Sequence, residues 1–353
     1  MSLIDSGGFG CVFSPELECE KSTKPYNKTL KYIGKLQSES DAVYENKLIH
    51  QFLKRIRVKI PNYTDYFVLD NITMCTPKLS KRKLKKKYSK TCNVVKNKDK
   101  IKQLVIPFMG TNLEKYLEKH IKHVDIFHHC NEKLIQLYTN AIIPMSQIGF
   151  YHNDIKAQNI LIDSKDQYRI IDFGVMNMVR YPYFSFNNPL NGILLTDGFV
   201  EYYNTYKEDG ATDSDILVNY LSEIKCSDMP HYTYMIGPLL SNMVPDDITE
   251  STANIHPLLF NYYLTTIETF TPYNKNINKL RLIYNHNTDT IGFLSIYGIM
   301  YQLLIDKYEF NIPVKIRCLI GSIKNLYLKY ILSIDKISYN TFINDVSKLN
   351  LCF

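Results

Sequence analysis

Two carboxylates and one amide are spaced in this sequence as a phosphoryl-transfer centre would need them. Asp154 stands in the stretch Tyr151-His152-Asn153-Asp154-Ile155-Lys156-Ala157-Gln158-Asn159-Ile160-Leu161-Ile162. Thirteen positions after Asn159 comes Asp172-Phe173-Gly174, behind the apolar pair Ile170-Ile171. Phosphoryl transfer needs little covalent help from a protein; it needs in-line placement, neutralised phosphate oxygens and a carboxylate that orients the attacking hydroxyl. In this pattern Asp154 would orient or accept the hydroxyl proton. Asn159 and Asp172 supply the oxygen donors that a hard cation such as Mg²⁺ prefers. Lys156, two positions after Asp154, would stabilise charge developing on the transferred group.

A second signal is Asp5-Ser6-Gly7-Gly8-Phe9-Gly10-Cys11-Val12-Phe13. Glycines let backbone N–H groups come close to phosphates and form an anion-binding turn. Glycine turns between strands are common, so the signal gains weight only from its place ahead of the Asp154 stretch.

Together these residues resemble the protein kinase superfamily: a catalytic loop H-R-D-x-x-x-x-N, a D-F-G motif, and a glycine-rich loop G-x-G-x-F-G-x-V with Asp5 where the first glycine usually stands. The resemblance implies an α+β, two-lobed fold. Residues 1–110 would be a small β-rich N-lobe that binds ATP, and 111–353 a large helical C-lobe. It implies ATP and Mg²⁺ as cofactors, with Mn²⁺ as an alternative. Gly7, Gly8, Phe9 and Gly10 would cover the phosphates, and Val12 would pack on the adenine ring. The strand Tyr32-Ile33-Gly34-Lys35 resembles the one bearing the ATP lysine, with Lys35 favoured over Lys31 and Lys28; its acid would be Glu45, or else Glu39. Leu104-Val105-Ile106-Pro107-Phe108-Met109-Gly110-Thr111-Asn112-Leu113 resembles the hinge of the casein kinase one and vaccinia-related group. Ile106 would be its gatekeeper, and backbone groups near Phe108 and Met109 would bond adenine. Asn287-Thr288-Asp289-Thr290 resembles the start of the central large-lobe helix, with Asp289 bonding the catalytic-loop backbone.

Lys156 favours serine or threonine as acceptor, so the expected activity is a Ser/Thr protein kinase with protein substrates. Asn153 replaces the arginine that many kinases use to read an activation-loop phosphate, so activity independent of that phosphorylation is expected. No A-P-E motif is recognisable. From Asp172 to Asp289 is 117 positions, unusually long for the family. The segment Phe186–Leu195 stands where the substrate loop should be, and residues 196–285 read as a helical insertion. A similar combination occurs in kinases of large cytoplasmic DNA viruses. Two other readings stay open: a small-molecule kinase of the aminoglycoside or choline type, and a pseudokinase scaffold.

The elements that must position these groups are legible in outline. Residues 1–13 read as strand, glycine turn, strand, and 30–36 as a strand. Residues 39–57 carry Val43, Leu48, Phe52, Leu53 and Ile56 at helical spacing, with Ser40 or Asp41 as N-cap. Strands are expected at 65–76 and 103–109, then helices at 112–121, 131–149, 213–225, 258–269, 290–305, 314–332 and 339–349, interrupted by a strand–turn–strand at 159–173. The basic stretch Lys78–Lys90 begins an insertion over 78–102. It reads as a solvated block between strands, or as an arm for an acidic partner.

With 353 residues, 45% of them hydrophobic, the chain can build a large core, and 22% charged residues exclude a wholly disordered chain. The formal net charge of +7 owes much to the basic stretch, and nucleic acid is not expected as a partner. Richness in Tyr, Asn, Ile and Lys reads as coding bias. The eight cysteines form no C-x-x-C pair and read as reduced thiols. Met1–Gly10 has neither the basic nor the apolar region of a secretory leader. No apolar run approaches the ~20 residues of a membrane span. A cytoplasmic protein follows, in host cytoplasm or virion if viral. His120, His123, His128 and His129 read as surface residues rather than a metal site, and His152 as a packing and hydrogen-bonding support of the loop.

Overall fold

The computed structural model describes residues 2–6, 10–21, 30–78, 88, 90–94, 100–120, 124–178, 194–223, 257–270, 273–308 and 312–353. The candidate positions Gly7, Gly8 and Phe9, most of the basic stretch and the segment 186–193 lie outside them. In chain order the elements are β1 (Ser2–Ser6), β2 (Cys11–Ser14), β3 (Tyr32–Ser38), α1 (Glu39–Lys59), β4 (Thr73–Cys75), β5 (Ile101–Pro107) and β6 (Thr111–Asn112). Next come α2 (Leu113–His120), α3 (Val124–Leu137), α4 (Ile143–Gln147), β7 (Phe150–Tyr151), β8 (Ile160–Ile162), β9 (Tyr168–Ile170) and β10 (Asn177–Met178). The remainder is helical: α5 (Asp197–Glu208), α6 (Asp213–Glu223), α7 (Pro257–Thr269), α8 (Tyr273–Tyr308), α9 (Val314–Ile331) and α10 (Tyr339–Ser347).

The chain divides into two compact units, Met1–Leu113 with Asn159–Met176, and Glu114–Gln158 with Asn177–Phe353. The sequence reading divided the chain once, at 110. The structure divides it near there and then returns 159–176 to the first unit. Backbone pairing is the reason. Thr111 and Asn112 of β6 pair with Ile162 and Leu161 of β8. Ile170 N–H donates to Tyr66 O at 2.8 Å, and Val68 N–H to Ile170 O at 3.1 Å. Gly110 makes the turn feasible: it has φ +119°, and a Cβ there would lie 2.0 Å from Ile162 O.

The first unit is an antiparallel five-stranded sheet in the order β1-β2-β3-β5-β4, with α1 packed on it. Ser38 caps α1, its Oγ accepting from Asp41 N–H at 3.1 Å. The expected caps Ser40 and Asp41 instead lie in the first turn, where Asp41 favours the helix electrostatically. The buried stripe of α1 is Ala42, Glu45, Leu48, Ile49, Phe52 and Ile56, spaced by three and four, whereas Val43 faces solvent. One charged residue, Glu45, therefore interrupts an apolar stripe. Between 63 and 75 only Thr73–Cys75 is a strand, and Tyr63–Asp65 is a 3₁₀ turn.

The second unit is mostly helical. The helix expected over 131–149 begins at Val124 and contains a π turn at Tyr138–Ile142, just before Pro144. Proline lacks the N–H that an α-helical ladder needs and clashes with the preceding turn, so the winding loosens there. The π turn delivers Tyr138 to α8, where its hydroxyl lies 2.6 Å from Thr290 Oγ1 and its ring 4.9 Å from that of Phe293. Helix α8 is continuous over 36 residues. The expectation that one helical insertion ends near 285 and a new helix starts at 289 is thus corrected: both positions lie inside one helix.

The reduced-thiol expectation is also corrected. Cys11 pairs with Cys92, Cys19 with Cys75 and Cys318 with Cys352, at Cα separations of 5.9, 5.7 and 5.6 Å. The paired residues stand 81, 56 and 34 positions apart, so no local spacing signals them. Strand neighbourhood brings them together: Cys19 pairs with Pro77 beside Cys75, and Cys11 and Cys92 share a core with Phe13, Leu36 and Tyr88. Disulfides persist in oxidising surroundings, which argues against the reduced state assumed from the sequence. Among the described residues no helix is long and apolar enough to cross a membrane.

Candidate active site

In the first unit, strand register places the ATP candidates. Val12 of β2 is the cross-strand partner of Lys35 in β3, and in β5 Leu104 lies opposite Lys35 and Ile106 opposite Ile33. Cross-strand partners share a face and residues two apart share a face, so Val12, Lys35 and Ile106 stand on one side of the sheet. Gly10 closes in behind them: a Cβ there would lie 2.7 Å from Leu36 O and 3.1 Å from Gln37 Cγ. Phe108 N–H donates to Lys31 O at 2.8 Å and its side chain is 45% exposed, whereas Met109 N–H makes no such bond among the described residues.

Lys35 is the electrostatic centre of this unit. Its Nζ lies 3.1 and 2.9 Å from Glu45 Oε1 and Oε2, and 2.7 Å from Asp172 Oδ1. Lys28 lies outside the described residues and Lys31 donates no such pair among them. Burial opposes the Lys35 charge, but Asp172 and Glu45 outweigh it and hold the ammonium above its ordinary range. Burial pushes the Glu45 carboxyl up; Lys35 opposes that, Asp172 adds to it, and a hydrogen bond from Gln37 Nε2, 2.7 Å from Oε2, opposes it. Asp172 has φ +66° and a side chain 41% exposed. Strained backbone of this kind clusters at functional sites. Its neighbour Phe173 fixes the loop, packing against Phe52 of α1 at 5.9 Å and Phe67 at 6.5 Å between ring centres. Asn159 is buried, and its carbonyl accepts from Ile171 N–H at 3.0 Å, which ties the two halves of the β8–β9 hairpin.

In the second unit, the loop carrying Asp154 hangs from α8. Asp289 Oδ2 accepts from His152 N–H and Oδ1 from Asn153 N–H, both at 2.8 Å. Asn153 has φ +65°, a conformation that Asn tolerates better than most residues, and its Nδ2 donates to Tyr151 O at 3.2 Å. Burial pushes the Asp289 carboxyl up to about 7 against the opposing pull of the two N–H donors. His152 is fully buried. Asp154 is nearly buried and forms an ion pair with Lys156, Nζ to Oδ2 at 2.8 Å.

The structure therefore joins Lys35, Glu45 and Asp172 in one unit, and Asp154 with Lys156 in the other. Sequence reasoning missed Gln37 and the Phe52–Phe67–Phe173 packing. Period two from Lys35 was the available signal for Gln37. It did find Asp289 as the support of the loop backbone, although the residue stands mid-helix and not at a helix start. Among the described residues no cluster of His, Cys, Asp and Glu forms a ready metal cage. The donors that fit Mg²⁺ are a half-exposed carboxylate and a carboxamide, which suits an ion that keeps waters and shares substrate phosphates. Gly10 leaves no room for a side chain, because a Cβ there would run into Leu36 O of β3.

Residues 77–187, about a third of the chain, match the family model for protein tyrosine and serine/threonine kinase, which supports a phosphotransferase. The match supports the protein kinase superfamily and kinase activity in general, and the N-terminal sheet with a mostly helical remainder is compatible with that family's α+β two-lobed fold. It spans the hinge, the Asp154 stretch and Asp172-Phe173-Gly174 but not Lys35 or Glu45, whose pairing stands on geometry. No match is found among curated proteins.

Proposed function

We propose that this protein is a serine/threonine kinase that transfers the γ-phosphate of ATP to protein hydroxyls, with Mg²⁺ or Mn²⁺ as metal. The observation that carries the proposal is the buried Lys35 ammonium held between Glu45 and Asp172. An ammonium so placed is oriented by Glu45 and can exchange its Asp172 contact for a phosphate oxygen. Asp172 and Asn159 would hold the metal, which when bound neutralises phosphate charge. Asp154 would take the hydroxyl proton, and its ion pair with Lys156 would direct it. Gly10 and Val12, with Gly7, Gly8 and Phe9, would cover the nucleotide, while Ile106 and Met109 would bound the adenine. Lys156 supports serine or threonine as acceptor.

Asn153 supports activity without activation-loop phosphorylation, because no arginine at that position waits for a phosphate. The G-T-N-L hinge and the long segment between Asp172 and Asp289 support a kinship with kinases of large cytoplasmic DNA viruses.

Transfer of labelled γ-phosphate to mixed proteins and to small alcohols, with wild type, Asp154→Asn and Asp172→Asn, tests the reading. Label on Ser and Thr of proteins, lost in both variants and still transferred by enzyme treated with phosphatase beforehand, is the expected outcome. Label only on small alcohols would establish the small-molecule kinase. ATP binding with no transfer by any form would establish a scaffold.

A further inference from the structure

We infer that Gln37 is a positioning residue of the phosphate-binding site: it holds Glu45 against Lys35 and transmits to that pair the seating of the Gly10 backbone. The inference rests on the kinase reading above and extends it to a residue that no motif marks.

Gln37 stands two positions beyond Lys35 in β3, so both side chains leave the same face of the sheet. It is 1% exposed. Its Nε2 donates to Glu45 Oε2 at 2.7 Å, the same oxygen that receives Lys35 Nζ at 2.9 Å. Four groups face this carboxyl: Lys35 and Gln37 from β3, Asp172 from the segment after β9, and the backbone at Gly174, where a Cβ would lie 3.2 Å from Oε2. Lys35 must divide one positive charge between two carboxylates. A second donor to Glu45 therefore decides whether Glu45 keeps its ionised, inward position when Lys35 turns toward phosphate.

Packing alone does not explain the residue. Gln37 Oε1 is buried with no hydrogen-bond partner among the described residues. Leaving a buried acceptor unpaired is costly, so a site chosen only for volume would carry an apolar side chain. The other end of the contact is Gly10, whose Cα side meets Gln37 Cγ: an added Cβ would stand 3.1 Å from it. A shift of the backbone at residue 10 is thereby felt at Gln37 and, through its amide, at Glu45.

The test compares the full-length chain with Gln37→Met and Gln37→Glu, both close in size to glutamine, and with Lys35→Met. MgATP affinity by calorimetry, KM and kcat from pH 6 to 9, thermal melting, and carboxyl ¹³C titration of the nucleotide-free protein are read. Gln37→Met should melt no lower than wild type, weaken MgATP roughly tenfold with a smaller change in kcat, and titrate Glu45 at higher pH. Gln37→Glu should be worse at pH 8 and recover toward pH 6, where two facing carboxyls can share a proton. Wild-type affinity and titration in Gln37→Met, or identical pH profiles for the two Gln37 variants, would overturn the inference. If wild type itself does not bind MgATP, the kinase reading fails and takes this inference with it.

Discussion

Asp289→Asn separates stability from catalytic positioning. The carboxylate is fully buried and spends one oxygen on each of two successive backbone N–H groups, at 2.8 Å each. Asparagine keeps one acceptor oxygen and turns an NH₂ toward the other N–H. One buried donor is then orphaned, at about 1–3 kcal/mol, and the remaining bond loses its charge assistance. If that free energy is expressed in the placement of Asp154, kcat should fall about 10- to 100-fold, since ~1.4 kcal/mol is a factor of ten.

Stability moves the other way with pH. Folding raises the Asp289 pKa from 3.8 to about 7, so between these values the folded chain holds a proton that the unfolded chain has released. The stabilising proton is fully counted below pH 3.8 and is lost as pH rises through 7. Over about three pH units this amounts to at most ~4 kcal/mol. Urea unfolding of wild type should therefore show stability declining from pH 4 to 8 relative to Asp289→Asn. At pH 8 the variant should be about as stable as wild type yet deficient in kcat. Wild-type kcat should rise as Asp289 ionises. Full kcat in the variant would refute the reasoning, as would a loss of stability at pH 8 as large as the loss of activity.

Three further outcomes are expected. Lys35→Met leaves two carboxylates facing without their cation; phosphate transfer should drop at least 10²-fold and urea stability by roughly 3–5 kcal/mol, and Glu45→Gln/Lys35→Met together should recover part of the stability but none of the transfer. Asp345 receives Lys329, Lys348 and Tyr330, which outweigh burial and hold its carboxyl well below the usual range; its contribution is full well above pH 3.8, starts to fall there and is lost as pH drops through the depressed folded value. Because both lysines are largely exposed, Asp345→Asn should cost about 1 kcal/mol at pH 7 and progressively less below pH 3.8, read by thermal melting. Reductant should lower the melting temperature in line with about 2–4 kcal/mol for a single cross-link, and non-reducing peptide mapping should recover Cys11–Cys92, Cys19–Cys75 and Cys318–Cys352; recovery of these cysteines as free thiols would contradict the fold near Tyr88 and Cys75.

What the sequence exposed and what it hid follow from range. Spacing along the chain is local information; it singled out Asp154, Asn159 and Asp172 as candidates, and it sufficed for the apolar period of α1 and for β3 and β5 to within two residues. It failed where a residue's partner is distant. Cys11 and Cys92 are paired by a core that only the sheet assembles. Gln37 looks like any polar strand residue until α1 folds across it. The run Asn285-His286-Asn287-Thr288-Asp289-Thr290 reads as a helix start because its types are those of caps. In the structure the same groups are buried mid-helix and bond outward: Asn287 Oδ1 accepts from Ile337 N–H at 2.9 Å and its Nδ2 donates to Asp335 O at 2.7 Å, while Thr290 meets Tyr138. Capping side chains satisfy backbone groups, and here they satisfy those of other segments instead of their own helix.

The two units thus meet one problem, an acid that must stay where water cannot stabilise it, in two ways. Glu45 is kept by a side-chain cation and an amide, Lys35 and Gln37, both on the strand it faces. Asp289 is kept by backbone N–H groups of the loop it serves. The difference has a functional consequence. Side-chain donors can rotate away, so on the proposed function the Glu45 pair would rearrange as Lys35 engaged phosphate. Backbone donors cannot leave without unmaking the loop, so Asp289 would hold Asp154's loop throughout a catalytic cycle. Substitutions at Gln37 should accordingly change nucleotide affinity first, whereas substitutions at Asp289 should change kcat with little effect on the KM for ATP. The opposite assignment of these two effects would show that the strand, and not the loop, limits the chemical step.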